Sequence, residues 1–129
     1  MGVRVLITGH LGYLGSILTP LAVEAGYDVV GLDTGYFADC TLVPTPLRVP
    51  AIQKDLRDVE RADLDGFDAV VHLAALSNDP IGNLNAEWTR AINLQASVRL
   101  AEAAKAAGVQ RFLFSSSCIM YGMSEASVV

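Results

Sequence analysis

The sequence has only two cysteines, Cys40 and Cys118, and their spacing fits no metal site. Both read as free thiols of a reducing cytoplasm. Basic clusters are absent and the formal net charge is −5, which argues against nucleic acid as the main partner. Long apolar runs are missing too: each is strand-sized before polar residues interrupt it, so nothing reads as a membrane span. Met1-Gly2-Val3-Arg4 leads directly into a strand, with no room for a signal peptide. There is no internal repeat, low-complexity segment or interdomain linker. What remains is one globular domain, since 129 residues at 52% hydrophobic suffice for a single core.

The informative stretch lies near the start. Val3 to Ile7 is a continuous branched apolar run, as in a strand buried on both faces of a parallel sheet. Thr8 ends it, Gly9, Gly12 and Gly15 follow, and a helical pattern begins. Gly9 permits the sharp turn off the strand. Gly12 leaves the helix N-terminus bare for phosphate oxygens, and Gly15 lets the helix pack closely on the strand. Asp33 ends the next strand, about 20 residues on, where a carboxylate meets ribose hydroxyls. The candidate cofactor-binding residues here are Gly9, Leu11, Gly12, Tyr13, Leu14, Gly15 and Asp33. The structural alternative is a tight turn plus a solvated aspartate.

Thr8-Gly9-x-x-Gly12-x-x-Gly15 resembles the cofactor motif of the extended short-chain dehydrogenase/reductase family, the NAD-dependent nucleotide-sugar epimerases and dehydratases. The resemblance runs along essentially the whole chain. It implies a Rossmann-type α/β fold, a doubly wound parallel sheet in the order 3-2-1-4-5. Asp33 accepts ribose hydroxyls and repels a 2′-phosphate, and no arginine follows it, so NAD is expected rather than NADP.

Taken in order, the first helix is expected from Tyr13 to Ala25, with Leu14, Ile17, Leu18, Leu21 and Ala25 as its apolar face. Pro20 inside it should bend it, and Gly26 closes it. Strand two runs from Val29 to Leu32. The segment from Thr34 to Pro50 reads as a long loop, in which Tyr36 and Phe37 lie over an adenine ring or plug a surface cluster. A third strand covers Ala51 to Lys54. By resemblance Asp55 and Leu56 contact adenine; the alternative is that Asp55 or Asp58 caps a short helix from Val59 to Leu64, a place that Asp58 suits. Strand four, Ala69 to Leu73, carries His72, read as a satisfied core imidazole. It ends in Leu73, Ala74 and Ala75, small enough at the end to leave space in the crevice. The loop from Leu76 to Asn85 is turn-rich, with Asn78 and Asp79 as turn formers or sugar contacts.

Asn85 caps a long helix from Ala86 to about Ala107. By resemblance this helix meets a partner subunit in a four-helix bundle, so a homodimer is expected, and Asn93 braces the active-site backbone at the cofactor; the alternative for Asn93 is an exposed polar residue of the helix. Strand five, Arg111 to Phe114, leads into Ser115-Ser116-Ser117 and then Tyr121-Gly122. The resemblance puts Ser115 and Ser116 on the cofactor side and makes Ser117 the catalytic serine that polarises the substrate oxygen.

The family's Tyr-x-x-x-Lys pair is missing. Tyr13, Tyr27, Tyr36 and Tyr121 are followed four residues on by Ile17, Gly31, Cys40 and Glu125. The chain thus corresponds to the cofactor-binding part alone and reads as truncated, with no substrate domain and no activity expected of these 129 residues by themselves. Cys118 and Ile119 stand where dehydratases of the group carry Asp-Glu, which favours epimerisation or 4-keto reduction over 4,6-dehydration. The expected function is that of a cytoplasmic NAD-dependent nucleotide-sugar epimerase or related sugar oxidoreductase. A non-catalytic dinucleotide sensor, which needs no Tyr-Lys pair, is the alternative, and a plain flavodoxin-like interaction domain a third reading.

Overall fold

Apolar runs too short for helices alternate with helical segments, and this alternation builds a parallel sheet. A computed structural model describes residues 2–38, 40, 48–77 and 79–117. The strands are β1 (Arg4–Thr8), β2 (Asp28–Asp33), β3 (Ala51–Gln53), β4 (Ala69–His72) and β5 (Arg111–Phe114). They pair in parallel in the order β3-β2-β1-β4-β5, the expected order. Val5 lies between Val29 and Ala69, so the ends of β1, β2 and β4 share one edge.

Alternate strand residues feed two cores. Leu6, Val30, Leu32 and Val70 pack with Leu56, Leu64, Phe67, Ala96, Leu100 and Ala104 on one face. Val5, Ile7, Val29 and Ala69 form the core of the other, with Leu18, Ala22 and Val49 against them. Each fully buried leucine contributes about 2 kcal/mol.

Helix α1 (Tyr13–Glu24) sits over the second core. Gly15 and Thr19 are its buried residues, and of the expected stripe Leu18 packs on the core while Leu14, Ile17 and Leu21 are 56%, 50% and 55% exposed. Small side chains win the inner face because they let the helix lie close to the sheet. Ala25 caps it, and a left-handed Gly26 lets the Gly26 and Tyr27 N–H groups reach back to Val23 and Ala22. Tyr36 and Phe37 are exposed, so neither plugs a cluster.

Two short 3₁₀ turns, Leu56–Asp58 and Arg61–Leu64, replace the expected helix from Val59 to Leu64. Asp55 caps the first, accepting from the Arg57 N–H at 2.8 Å, and Glu60 rather than Asp58 is the N-cap of the second, its N–H donating to Asp63 Oδ2 at 2.8 Å. The loop after β4 holds a helix, α2 (Asp79–Leu84), where only turns were expected; Pro80 in its first turn is preset for helical geometry. Asn85 caps the next stretch through the Glu87 and Trp88 N–H groups. That stretch is helical as expected, but interrupted: α3 (Ala86–Thr89) passes through a π-helical segment, Arg90–Ala96, into α4 (Ser97–Ala106). Among the described residues no helix is long and apolar enough to cross a membrane.

Leu113 and Phe114 on β5, at the edge of the described sheet, are 52% and 57% exposed. Together with the outer face of α1 they form uncovered apolar surface, and an open parallel edge invites pairing. The chain is expected to associate in light scattering, and Ile17→Glu with Leu21→Glu to reduce that association while leaving the thermal midpoint within about 2 °C. A monomeric wild type refutes this.

Candidate functional site

The site begins where β1 runs out. Gly9 adopts φ +72°, and its N–H donates to the Leu32 carbonyl at 2.8 Å. A Cβ there would come within 2.9 Å of the Ala74 backbone, so the position needs glycine for both conformation and space. Gly12 is the N-cap of α1 in extended backbone, with no side chain to satisfy the helix N–H groups and no acidic residue in the first turn. Gly12, Tyr13 and Leu14 are exposed, whereas a Cβ on buried Gly15 would overlap Gly9 and His10. The result is an open helix start carrying partial positive charge.

Asp33 ties this turn to β2. Its Oδ2 accepts from the Leu11 N–H at 3.1 Å and its Oδ1 from the Gly35 N–H at 2.9 Å. The carboxylate therefore stands beside the glycine turn, half-buried and held in place from two sides.

The other wall is built at the ends of β4 and β5. Thr8 Oγ1 accepts from the N–H groups of Leu73 and Ala74, each at 3.2 Å, and lies 2.7 Å from His72 Nδ1. His72 Nε2 is 2.8 Å from Ser97 Oγ, so the imidazole is a satisfied core group. Burial pushes it down to about 4. Asn93, on the π-helical segment, accepts from the Leu76 N–H at 2.8 Å and donates to the Leu76 carbonyl at 3.0 Å. Its carboxamide is thus spent on the loop after Ala75. The Ser115 N–H donates to the His72 carbonyl at 3.2 Å, and Ser115, Ser116 and Ser117 are exposed beyond β5.

Gly9, Leu11, Gly12, Gly15, Asp33 and Ala74 are thereby brought together around the end of β1. Asp55 and Leu56 stand further out, beyond β3 on the same edge of the sheet. Asp55 also pairs with the Arg57 guanidinium at 2.8 Å, which holds its carboxyl below the usual carboxylate range, and the Leu56 side chain is buried in the core. Asn78, the side chain of Asp79, Cys118, Ile119 and Tyr121 lie outside the described residues. No metal-holding group of His, Cys, Asp or Glu occurs among the described residues.

Two participants escape a sequence reading. Thr8 is the hub of the second wall, and its only signal is a polar residue closing an apolar run. His10 is buried, with its ring over Gly31, where a Cβ would overlap it. An isolated glycine inside a strand pattern is a sign of such close approach.

A family model described as the NAD dependent epimerase/dehydratase family matches residues 5–128. The chain belongs to that family. It is 36% identical over 129 residues to a UDP-glucose 4-epimerase of Streptomyces lividans, a match covering 97% of this chain and 39% of the relative. A UDP-N-acetylglucosamine 4-epimerase of Methanobrevibacter ruminantium superposes with a TM-score of 0.85 at 27% identity, covering 100% of this chain and 43% of that one. A UDP-glucose 4-epimerase of Stenotrophomonas maltophila, solved with NAD, gives 0.82 at 29% identity, covering 98% and 40%. The chain thus spans about two fifths of the length of these relatives.

Gly31→Ala is expected to destabilise the protein by about 1–3 kcal/mol through overpacking against His10. His10→Ala in the same chain should relieve most of that cost, as read from denaturant midpoints. The two histidines also set a pH dependence. Burial lowers His10 too, Asp33 and the Leu32 carbonyl opposing. Below about 6.5 the unfolded chain takes up protons that the folded chain refuses, so stability falls as pH drops. For His72 the loss runs from about 6.5 down through about 4 and is on the order of 3 kcal/mol. His72→Gln is expected to flatten the unfolding free energy across that window.

Proposed function

We propose that this chain is the cofactor-binding part of an NAD-dependent nucleotide-sugar epimerase, or of a related enzyme that oxidises and reduces one sugar carbon. The observation that carries the reading is Asp33, a carboxylate held beside the bare start of α1 by the Leu11 and Gly35 N–H groups. The fit to a dinucleotide is that of a cradle which side chains would fill. Gly9 and Gly15 leave no room for a Cβ, and Gly12 leaves the helix start uncovered.

The N–H groups from Gly12 to Gly15 hold a pyrophosphate. Asp33 takes the adenosine ribose hydroxyls and repels a 2′-phosphate. Asp55 and the Leu56 backbone face the adenine, with Arg57 keeping Asp55 ionised. Leu73, Ala74 and Ala75 leave space for the rest of the dinucleotide, and Asn93 fixes the loop that follows. Ser115 and Ser116 line its far end, and Ser117 donates to the substrate oxygen. When bound, NAD supplies reversible hydride transfer at a sugar carbon. Cys118 and Ile119, in place of an acid pair, favour epimerisation or keto reduction over dehydration.

A homodimer through the 86–106 helical stretch is part of the same reading. Trp88, Leu94 and Val98 are 58%, 52% and 50% exposed along it.

Calorimetric titration tests the cofactor. NAD is expected to bind at least about ten-fold more tightly than NADP, and Asp33→Ala to lose about ten-fold in NAD affinity, the loss of charge-assisted bonds to one carboxylate. Absence of NAD binding by the wild type, or equal binding of NAD and NADP, sinks the reading. The intact protein is then expected to interconvert a nucleotide sugar and its epimer.

A further inference from the structure

A line of side chains, buried at Thr8 and His72 and half-buried at Ser97, crosses from the end of β1, through β4, to α4. Thr8 and His72 are 0% and 1% exposed, and Ser97 stands at the start of α4. The direction of each hydrogen bond follows from counting. A threonine hydroxyl has one proton and two lone pairs. Thr8 Oγ1 accepts from the Ala74 N–H and from the Leu73 N–H, which it shares with the Thr8 backbone carbonyl, each at 3.2 Å. Its proton therefore goes to His72 Nδ1, which carries none of its own. The ring proton sits on Nε2 and is donated to Ser97 Oγ. A second ring proton would confront the Thr8 hydroxyl proton. The rings of Phe112 and Phe114, at 6.1 and 5.7 Å between centroids, give it no compensating charge.

We propose that His72 is a positioning residue, whose fixed Nε2–H tautomer transmits the placement of α4, through Ser97 and Thr8, to the Leu73–Ala74 backbone at the cofactor crevice. This rests on the NAD-binding reading above. A second attachment strengthens it: Asn93, one helical turn before Ser97, holds Leu76 of the same loop at both its N–H and its carbonyl. The boundary between the π-helical segment and α4 falls between these two anchors, at Ala96 and Ser97. A shift of the helical stretch at that boundary therefore moves the crevice wall, and a shift of the wall moves the helix.

The sequence has two histidines, so ring ¹⁵N labelling of histidine in the intact protein gives two imidazole signals, and His72→Gln assigns them. His72 is expected to be neutral and Nε2-protonated at pH 7. Ser97→Ala is expected to weaken NAD binding about three- to ten-fold, the worth of one net hydrogen bond, and Ser97→Thr to restore it to within about two-fold. A role confined to packing would lower the thermal midpoint of Ser97→Ala and leave the NAD affinity of the folded protein unchanged. An Nδ1-protonated or charged His72 at pH 7 overturns the relay. Wild-type NAD binding that is unaltered in Ser97→Ala overturns the positioning role alone. A wild type that binds no NAD removes the cofactor reading, and the positioning role with it.

Discussion

The carboxyl edge of the sheet depends on one hydroxyl, that of Thr8. It closes β1, accepts from the two N–H groups that leave β4, and lies 2.7 Å from His72 Nδ1. Without it the Ala74 N–H and an imidazole nitrogen would lose this partner, each at a cost of about 1–3 kcal/mol where buried, whereas the Leu73 N–H would keep the Thr8 backbone carbonyl. The crevice is therefore held by side-chain chemistry beyond the strand ladder, because the ladder ends where the cofactor reading begins.

Space in this region is made by omitted side chains. Gly9 passes the Ala74 backbone, Gly15 passes Gly9 and His10, and Gly31 gives its volume to the His10 ring. These approaches bring the glycine turn, β2 and the loop after β4 close enough for Asp33 to reach the Leu11 N–H. A turn that binds through backbone groups has to be rigid to be selective, and His10 and Asp33 supply rigidity from opposite chemical directions. One fills a volume; the other accepts two hydrogen bonds.

The outer surfaces follow a different logic. Leu14, Ile17 and Leu21 on α1, Leu113 and Phe114 on β5, and Trp88, Leu94 and Val98 on the long helical stretch all leave apolar area in water.

Strand positions and the glycine turn with Asp33 at the next strand end were legible in the sequence, since continuous Val/Leu/Ile runs, three spaced glycines and a terminal carboxylate each have a local cause, while the sheet order followed from the family resemblance. The inner face of α1 was not. A helical period marks an apolar stripe without saying which part of it meets the sheet, and close approach put Gly15 and Thr19 beside Leu18 on the inner face and left Leu14, Ile17 and Leu21 outside. Asp58 suited the cap of a helix over 59–64 by composition, but the chain turns earlier, Asp55 caps Leu56–Asp58, and Glu60 stands at the N-cap of Arg61–Leu64. The π-helical segment is likewise a tertiary decision: it accompanies the attachment of Asn93 to Leu76, 17 residues away in sequence. The sequence by itself determined what local sterics and burial can encode, namely the turn, the strands and the acid. The tertiary structure alone decided the Thr8–His72–Ser97 line and the His10–Gly31 contact, because each joins residues whose proximity exists only after β1, β2, β4 and α4 have packed.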